Sequence, residues 1–179
     1  MSRLREGDDL ALNDIMDRWQ SRLTGYLIRF TGSEAVAVDL AQETFVRVYG
    51  NRFRYRPSGA FFTWLFAIAS NLARHHIRWQ LRHPIISLDA AGSLLESVEA
   101  ADPDPRTRLE QAERAEAVRE AIAELAPGLR EALILFTYED MSYEQIATIQ
   151  RCSTKAVETR LYRARASLRK RLARWLVVH

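Results

Sequence analysis

Apolar side chains recur at intervals of three and four along most of this chain, the spacing that gathers them on one face of an α-helix. Leu12, Ile15, Met16, Trp19, Leu23, Tyr26, Leu27 and Phe30 make the first stripe, and Thr31-Gly32-Ser33 ends it. Ala37, Leu40, Ala41, Phe45 and Val48 make the second, stopped at Gly50-Asn51. Asn51 to Gly59 reads as a polar loop holding Arg52, Arg54, Tyr55, Arg56 and Pro57. A third stripe runs through Phe61, Trp64, Leu65, Ile68, Ala69, Leu72 and Ile77, and Pro84 terminates it.

From Ile86 to about Ala112 the period fails. Asp102-Pro103-Asp104-Pro105 is biased to extended backbone, and its surroundings are small and acidic, so this stretch reads as a linker. Leu88, Leu94, Leu95 and Val98 are its few apolar residues. Helical spacing resumes at Ala115, Val118, Ile122 and Leu125, with a break expected at Pro127-Gly128, and continues through Leu129, Leu133, Ile134 and Phe136. Ser142 with Gln145 three residues on is a capping-box pattern opening a short helix whose inner face is Ile146, Ala147 and Ile149. Gln150-Arg151-Cys152 reads as a tight turn, and Ser153 caps a last helix that buries Val157, Leu161, Ala164, Leu168 and Leu172. The expected architecture is all-α, with two small helical domains, 1–85 and 113–179, joined by a flexible linker over 86–112.

Composition narrows the class. Of 179 residues 47% are hydrophobic, enough to bury a core, while seven Gly and five Pro are too few for a turn-rich β-sandwich. A single cysteine, Cys152, excludes a disulfide framework and a Cys-based metal cage. His75, His76, His83 and His179 do not fall in zinc-protease spacing. No apolar run approaches the roughly 18 residues of a membrane span, and the N-terminus is polar rather than signal-like. A soluble, cytoplasmic protein without membrane insertion is expected.

The formal charge of +3 hides a strong asymmetry. Residues 1–85 carry 12 basic and 8 acidic side chains, residues 86–112 carry 2 and 6, and the last 29 residues carry 9 basic groups against Glu158 alone. That C-terminal excess marks a polyanion footprint, although a solvated helix face has the same look. Together with a short capped helix and a tight turn, the basic helix makes a helix-turn-helix, whose second helix enters the DNA major groove; an ordinary helical hairpin is the competing reading. Its outer side shows Lys155, Glu158, Thr159, Tyr162, Arg163 and Arg169.

Several segments together resemble one family. Leu125-Ala126-Pro127, Arg130-Glu131, Met141 through Ala147, Val157 and Arg160 through Leu168 resemble the C-terminal domain of bacterial RNA polymerase sigma factors. Asp39 through Val46 resembles their polymerase-clamp-binding helix, and Phe62 through Ala73 the neighbouring helix that handles the −10 element. Two such domains in under 200 residues look like the extracytoplasmic-function (ECF) group of the sigma-70 family, and the likeness covers nearly all of the chain outside the linker.

The resemblance implies a set of contacts. Asp39, Gln42, Glu43 and Val46, which share a helix face at i, i+3, i+4 and i+7, would meet the clamp coiled coil of the polymerase largest subunit. Asp39 and Glu43 taken alone would equally serve to solubilise the helix. Promoter melting needs stacking surfaces and basic groups that hold unpaired bases. Arg52, Arg54, Tyr55 and Arg56 in the loop, with Asn71 beside it, would receive the −10 element, and Arg74, Arg78 and Arg82, at i, i+4 and i+8, would line phosphates. Phe61, Trp64 and Phe66 are read as scaffold. In the last helix Ser153, Lys155, Glu158, Thr159, Arg160, Tyr162 and Arg163 are the candidates for the −35 element.

Further partners implied are the polymerase flap and an anti-sigma protein; no cofactor, metal site or catalytic residue is expected, and magnesium and catalysis would belong to the polymerase. This sequence departs from the family pattern at His75, where an Asp is usual, at Arg151, where the turn usually has Gly, and at Lys155-Ala156, where a small–hydroxyl pair is usual. A left-handed backbone at Arg151 would cost roughly 1 kcal/mol relative to Gly, so a turn of a different shape is expected there. Two other classes compete: a helix-turn-helix regulator acting without polymerase, which leaves Asp39 to Glu43 unused, and a helical nucleic-acid enzyme, for which no paired carboxylates or phosphate loop speak.

Overall fold

The computed structural model describes residues 1–56, 60–83 and 105–176, and among them every regular element is a helix. The N-terminal unit is α1 (Ser2–Arg5), α2 (Leu10–Thr31), α3 (Glu34–Gly50) and α4 (Phe61–Arg82). The C-terminal unit is α5 (Pro105–Ala123), α6 (Pro127–Thr137), α7 (Tyr143–Gln150), α8 (Thr154–Arg171) and the short α9 (Ala173–Leu176). Most of the linker expected over 86–112, including Leu88, Leu94, Leu95 and Val98, lies outside the described residues, as do Pro57 and Pro84.

Local chemistry accounts for the helix ends. Gly32 closes α2 in the left-handed region at φ 78°, where its missing side chain avoids a clash, and its N–H donates to the Ile28 carbonyl at 2.8 Å. Ser33 opens α3 by accepting the Val36 N–H. The capping box at Ser142 forms as predicted: its hydroxyl accepts the Gln145 N–H, while the Gln145 side chain accepts the Ser142 N–H at 2.9 Å.

Three details differ from the pattern reading. Pro127-Gly128 opens α6 rather than merely breaking the preceding helix, because a proline in the first turn gives up a hydrogen bond no partner would have taken. Helix α5 begins at Pro105, inside the expected linker. Leu109 on it is 61% exposed, so this end of the helix buries no apolar stripe that a pattern could reveal. The third is α1, which anchors the start of the chain by fully burying Leu4, while Arg3 pairs with Asp8 and Asp14 at 2.7 Å each.

In the N-terminal unit, Tyr26 of α2 packs with Phe30 of the same helix and with Phe66 of α4, and the buried Tyr26 hydroxyl shares a hydrogen bond with Ser70 at 2.6 Å. In the C-terminal unit, α6 is the central helix, with five consecutive buried residues from Glu131 to Leu135. The two units are not separate beads. Helix α4 lies on α7 and α2 lies on α6, so the buried residues of both form one continuous core.

Charged groups pin this contact. Arg74 of α4 pairs with Glu131 at 2.7 Å and reaches the Ile149 carbonyl at 3.3 Å. Arg22 of α2 gives one N–H to the Glu139 carboxylate and another to its backbone carbonyl, both at 2.7 Å. Arg130 returns the favour from α6, donating to the Phe30 carbonyl at 3.0 Å. Glu131 and Glu139 expose only 1% and 2% of their side chains, so each depends on its partner for neutralisation. Arg74→Ala is therefore expected to cost about 3 kcal/mol in urea unfolding, because it strands a buried carboxylate. Pairing it with Glu131→Leu should recover most of that loss, and a double variant no more stable than the single one would refute the assignment.

Candidate polymerase and nucleic-acid interfaces

Helix α3 has two unlike sides. Ala37, Ala41, Phe45 and Val48 are buried, whereas Asp39, Gln42, Glu43 and Val46 are all exposed and adjoin one another along the opposite face. Val46 is an apolar residue 64% exposed beside two carboxylates and an amide. Glu43 is held by an exposed pair with Arg47 at 2.8 Å, which positions the carboxylate but adds little stability.

The loop after α3 divides into anchors and free cations. Arg52 lies over the rings of Tyr49 and Phe53, at 4.1 and 4.4 Å, and donates to the Tyr49 carbonyl. Tyr55 is half-buried against Trp64 and Phe61. Arg52 ties the loop to the end of α3 and Tyr55 ties it to α4, while Arg54 and Arg56 are exposed. On α4, Asn71, His75, Arg78 and Arg82 are exposed, while Arg74 is the member of the arginine stripe turned inward to Glu131. Trp64 is half-buried within the aromatic cluster with Phe61 and Tyr55. Beside His75, burial and that neighbour's charge hold His76 below the usual imidazole range.

In the helix-turn-helix, α8 buries Val157, Leu161 and Ala164 and presents Lys155, Thr159, Tyr162 and Arg163 outward. Tyr162 is 74% exposed. Lys155 is tied to Glu158 at 2.7 Å, which also accounts for that acid in a basic helix. Arg160 does not face outward. It donates to the Gln150 side chain at 2.6 Å and to the Cys152 sulfur at 3.3 Å, bracing the turn from inside. Ser153 caps α8 by accepting the Ala156 N–H at 3.2 Å.

Comparison with known proteins agrees with this geometry. Residues 15–83 match the model of sigma-70 region 2, and residues 115–168 that of sigma-70 region 4. The RNA polymerase sigma-H factor of Pseudomonas aeruginosa is 33% identical, with 96% of this chain and 91% of that protein aligned. The ECF RNA polymerase sigma-E factor of Haemophilus influenzae is 31% identical, over 96% and 93%. The chain belongs to the ECF group of the sigma-70 family. Its fold also resembles that of the sigma factor RpoE solved with the anti-sigma factor NepR from Bartonella quintana, at a TM-score of 0.71 and 20% identity, over 93% of this chain and 98% of the other.

Region 2 thus comprises α2 to α4 and region 4 runs from α5 into α8, which places the exposed α3 face in the first and the outer face of α8 in the second. Glu131, Glu139, Arg22 and Gln150 escaped the sequence reading as functional residues. The available signal was Glu131 itself, a charged residue inside the otherwise apolar run of α6, which a buried helix tolerates only with a partner.

Glu139 also carries a pH signature. Burial pushes its carboxyl above the usual range, against the pull of Arg22 and Arg29, and Asp140 adds to the rise. The folded chain therefore holds this proton more tightly than the unfolded chain does. Its contribution to stability is fully present below the ordinary carboxylate value and is lost as pH rises through the raised folded value. Wild type should gain stability relative to Glu139→Gln as pH falls from about 7 to about 5. Parallel unfolding curves at the two pH values would contradict this.

Proposed function

We propose that this ECF sigma factor binds core RNA polymerase through Asp39, Gln42, Glu43 and Val46 on α3 and directs it to promoters that it reads at two elements. Region 2 engages and melts the −10 element through Arg54 and Arg56 of the loop, Asn71, and the phosphate-facing Arg78 and Arg82. Arg52 and Tyr55 support that loop. Region 4 reads the −35 element with the outer face of α8, where Lys155, Thr159, Tyr162 and Arg163 meet bases and phosphates. Ser153, Glu158 and Arg160 contribute by setting the helix start, the Lys155 position and the turn. Arg74 joins the phosphate stripe only where its pair with Glu131 opens, so DNA contact at that residue requires regions 2 and 4 to part.

The observation that carries this reading is the α3 face. An exposed valine among hydrogen-bonding side chains, opposite a fully buried stripe, is what a protein-binding helix presents. A regulator that acts on DNA alone has no use for it. The chemistry of RNA synthesis then belongs to the polymerase, and this chain serves as an initiation factor rather than an enzyme, acting in the cytoplasm where the polymerase and promoters are. An anti-sigma protein that covers the same faces is the expected antagonist, in keeping with the fold neighbour solved in such a complex.

Size-exclusion chromatography with bacterial core polymerase tests the central contact. The full chain should co-elute with core enzyme, and a Gln42→Ala/Glu43→Ala variant should bind at least about ten-fold more weakly, a loss of roughly 1.4 kcal/mol. Undiminished binding by that variant would move the polymerase contact elsewhere on the protein.

A further inference from the structure

The turn between α7 and α8 contains a residue whose conformation and surroundings are at odds. After Gln150, the Cys152 N–H bonds to the Ala147 carbonyl at 3.0 Å and the Arg151 N–H to that of Thr148 at 3.4 Å. This pair of bonds is the Schellman end of a helix, and it requires the residue at Arg151 to be left-handed. Arg151 meets the requirement at φ 51° and ψ 51°, a conformation natural to glycine and strained for a long side chain. Its side chain repays nothing to the fold: it is exposed and has no hydrogen-bond, ion-pair or ring partner among the described residues.

Other cations near the start of α8 are in the opposite position. Lys155 is committed to Glu158, Arg160 to Gln150 and Cys152, and Arg165 lies over the Phe136 ring. Arg151, just before the helix proposed to enter the major groove, and Arg163, midway along it, thus carry unpaired charges among the described residues. The turn is also stiff. Ser153 caps α8 on one side, while Arg160 joins Gln150 to Cys152 across the turn, so the backbone that carries Arg151 is held in place.

We infer that Arg151 is a further DNA-contacting residue of region 4, which places a guanidinium on a phosphate flanking the −35 element and keeps a strained turn in order to do so. The inference rests on the proposal that α8 binds the −35 element. An arginine on a phosphate strengthens binding without regard to base sequence and releases about one condensed counterion.

The test uses the full chain and duplexes selected by reconstituted holoenzyme from a pool randomised over the −35 segment. Their affinity for wild type, Arg151→Gly, Arg151→Asn and Arg151→Lys is measured across a salt series, with Arg163→Ala alongside. Arg151→Gly and Arg151→Asn should bind several-fold more weakly on every selected duplex, with the slope of log affinity against log salt smaller by about 0.9. Arg151→Lys should retain the wild-type slope. Thermal melting should show Arg151→Gly as stable as wild type or a few degrees more so, which separates lost contact from lost fold. Wild-type affinity and slope in Arg151→Gly and Arg151→Asn would overturn the inference while Arg163→Ala still weakens binding. If Arg163→Ala is also without effect, the assignment of α8 to DNA falls, and this inference with it.

Discussion

The buried carboxylate of Glu131 is the constraint around which the two regions are arranged. An ionised group with 1% of its side chain exposed is costly by several kcal/mol unless neutralised and hydrogen-bonded. Arg74 supplies the charge from region 2, at 2.7 Å, and Gln150 supplies an N–H from the last turn of α7, at 3.1 Å. Gln150 in turn accepts from Arg160 of α8, which also reaches Cys152. One polar chain therefore runs from α4 through the centre of region 4 to the turn of the helix-turn-helix. Because each group satisfies the next, the position of α7 against α4 and the shape of the turn are set together.

That arrangement sorts the surface into what is spent and what is free. Arg22, Arg74 and Arg130 are consumed in joining the regions, and Arg52, Arg160 and Arg165 in bracing loops and turns. With 24 arginines in the chain, charge alone says little about which ones meet DNA. The candidate residues fall on three exposed surfaces, namely the α3 face, the loop and outer side of α4, and the outer side of α8, while other exposed arginines such as Arg5 and Arg114 lie elsewhere. All three belong to the matched family regions. The α3 face proposed to meet the polymerase is exposed, so the contact between regions leaves it uncovered.

Much of this was legible in the sequence, for identifiable reasons. The helices of region 2 declare themselves through long apolar stripes, and α7 through Ser142 and Gln145, because local hydrogen bonds and one-sided burial leave a periodic trace. The tight turn at Gln150-Arg151-Cys152 followed from its place between two capped helices, but its left-handed backbone at Arg151 did not, because the conformation is costly for a residue with a side chain. Long-range pairing leaves no such trace. Arg74 looks like the next phosphate contact after Arg78 and Arg82, since nothing in its spacing records that Glu131, 57 residues away, will claim it. Arg160 likewise sits in a basic run, yet its helical angle aims it at the turn rather than outward. The start of α5 was hidden for a different reason: a helix that buries little has no stripe to read.

Promoter-directed initiation is the activity to which all three surfaces would contribute. In vitro transcription with core polymerase on a library of promoter fragments, with and without this chain, measures it directly. The chain should produce discrete transcripts absent from core enzyme alone, from fragments sharing a pair of elements at fixed separation. If the chain instead binds such fragments tightly by itself and adds no transcript to core polymerase, it is a DNA-binding protein that does not act as an initiation factor.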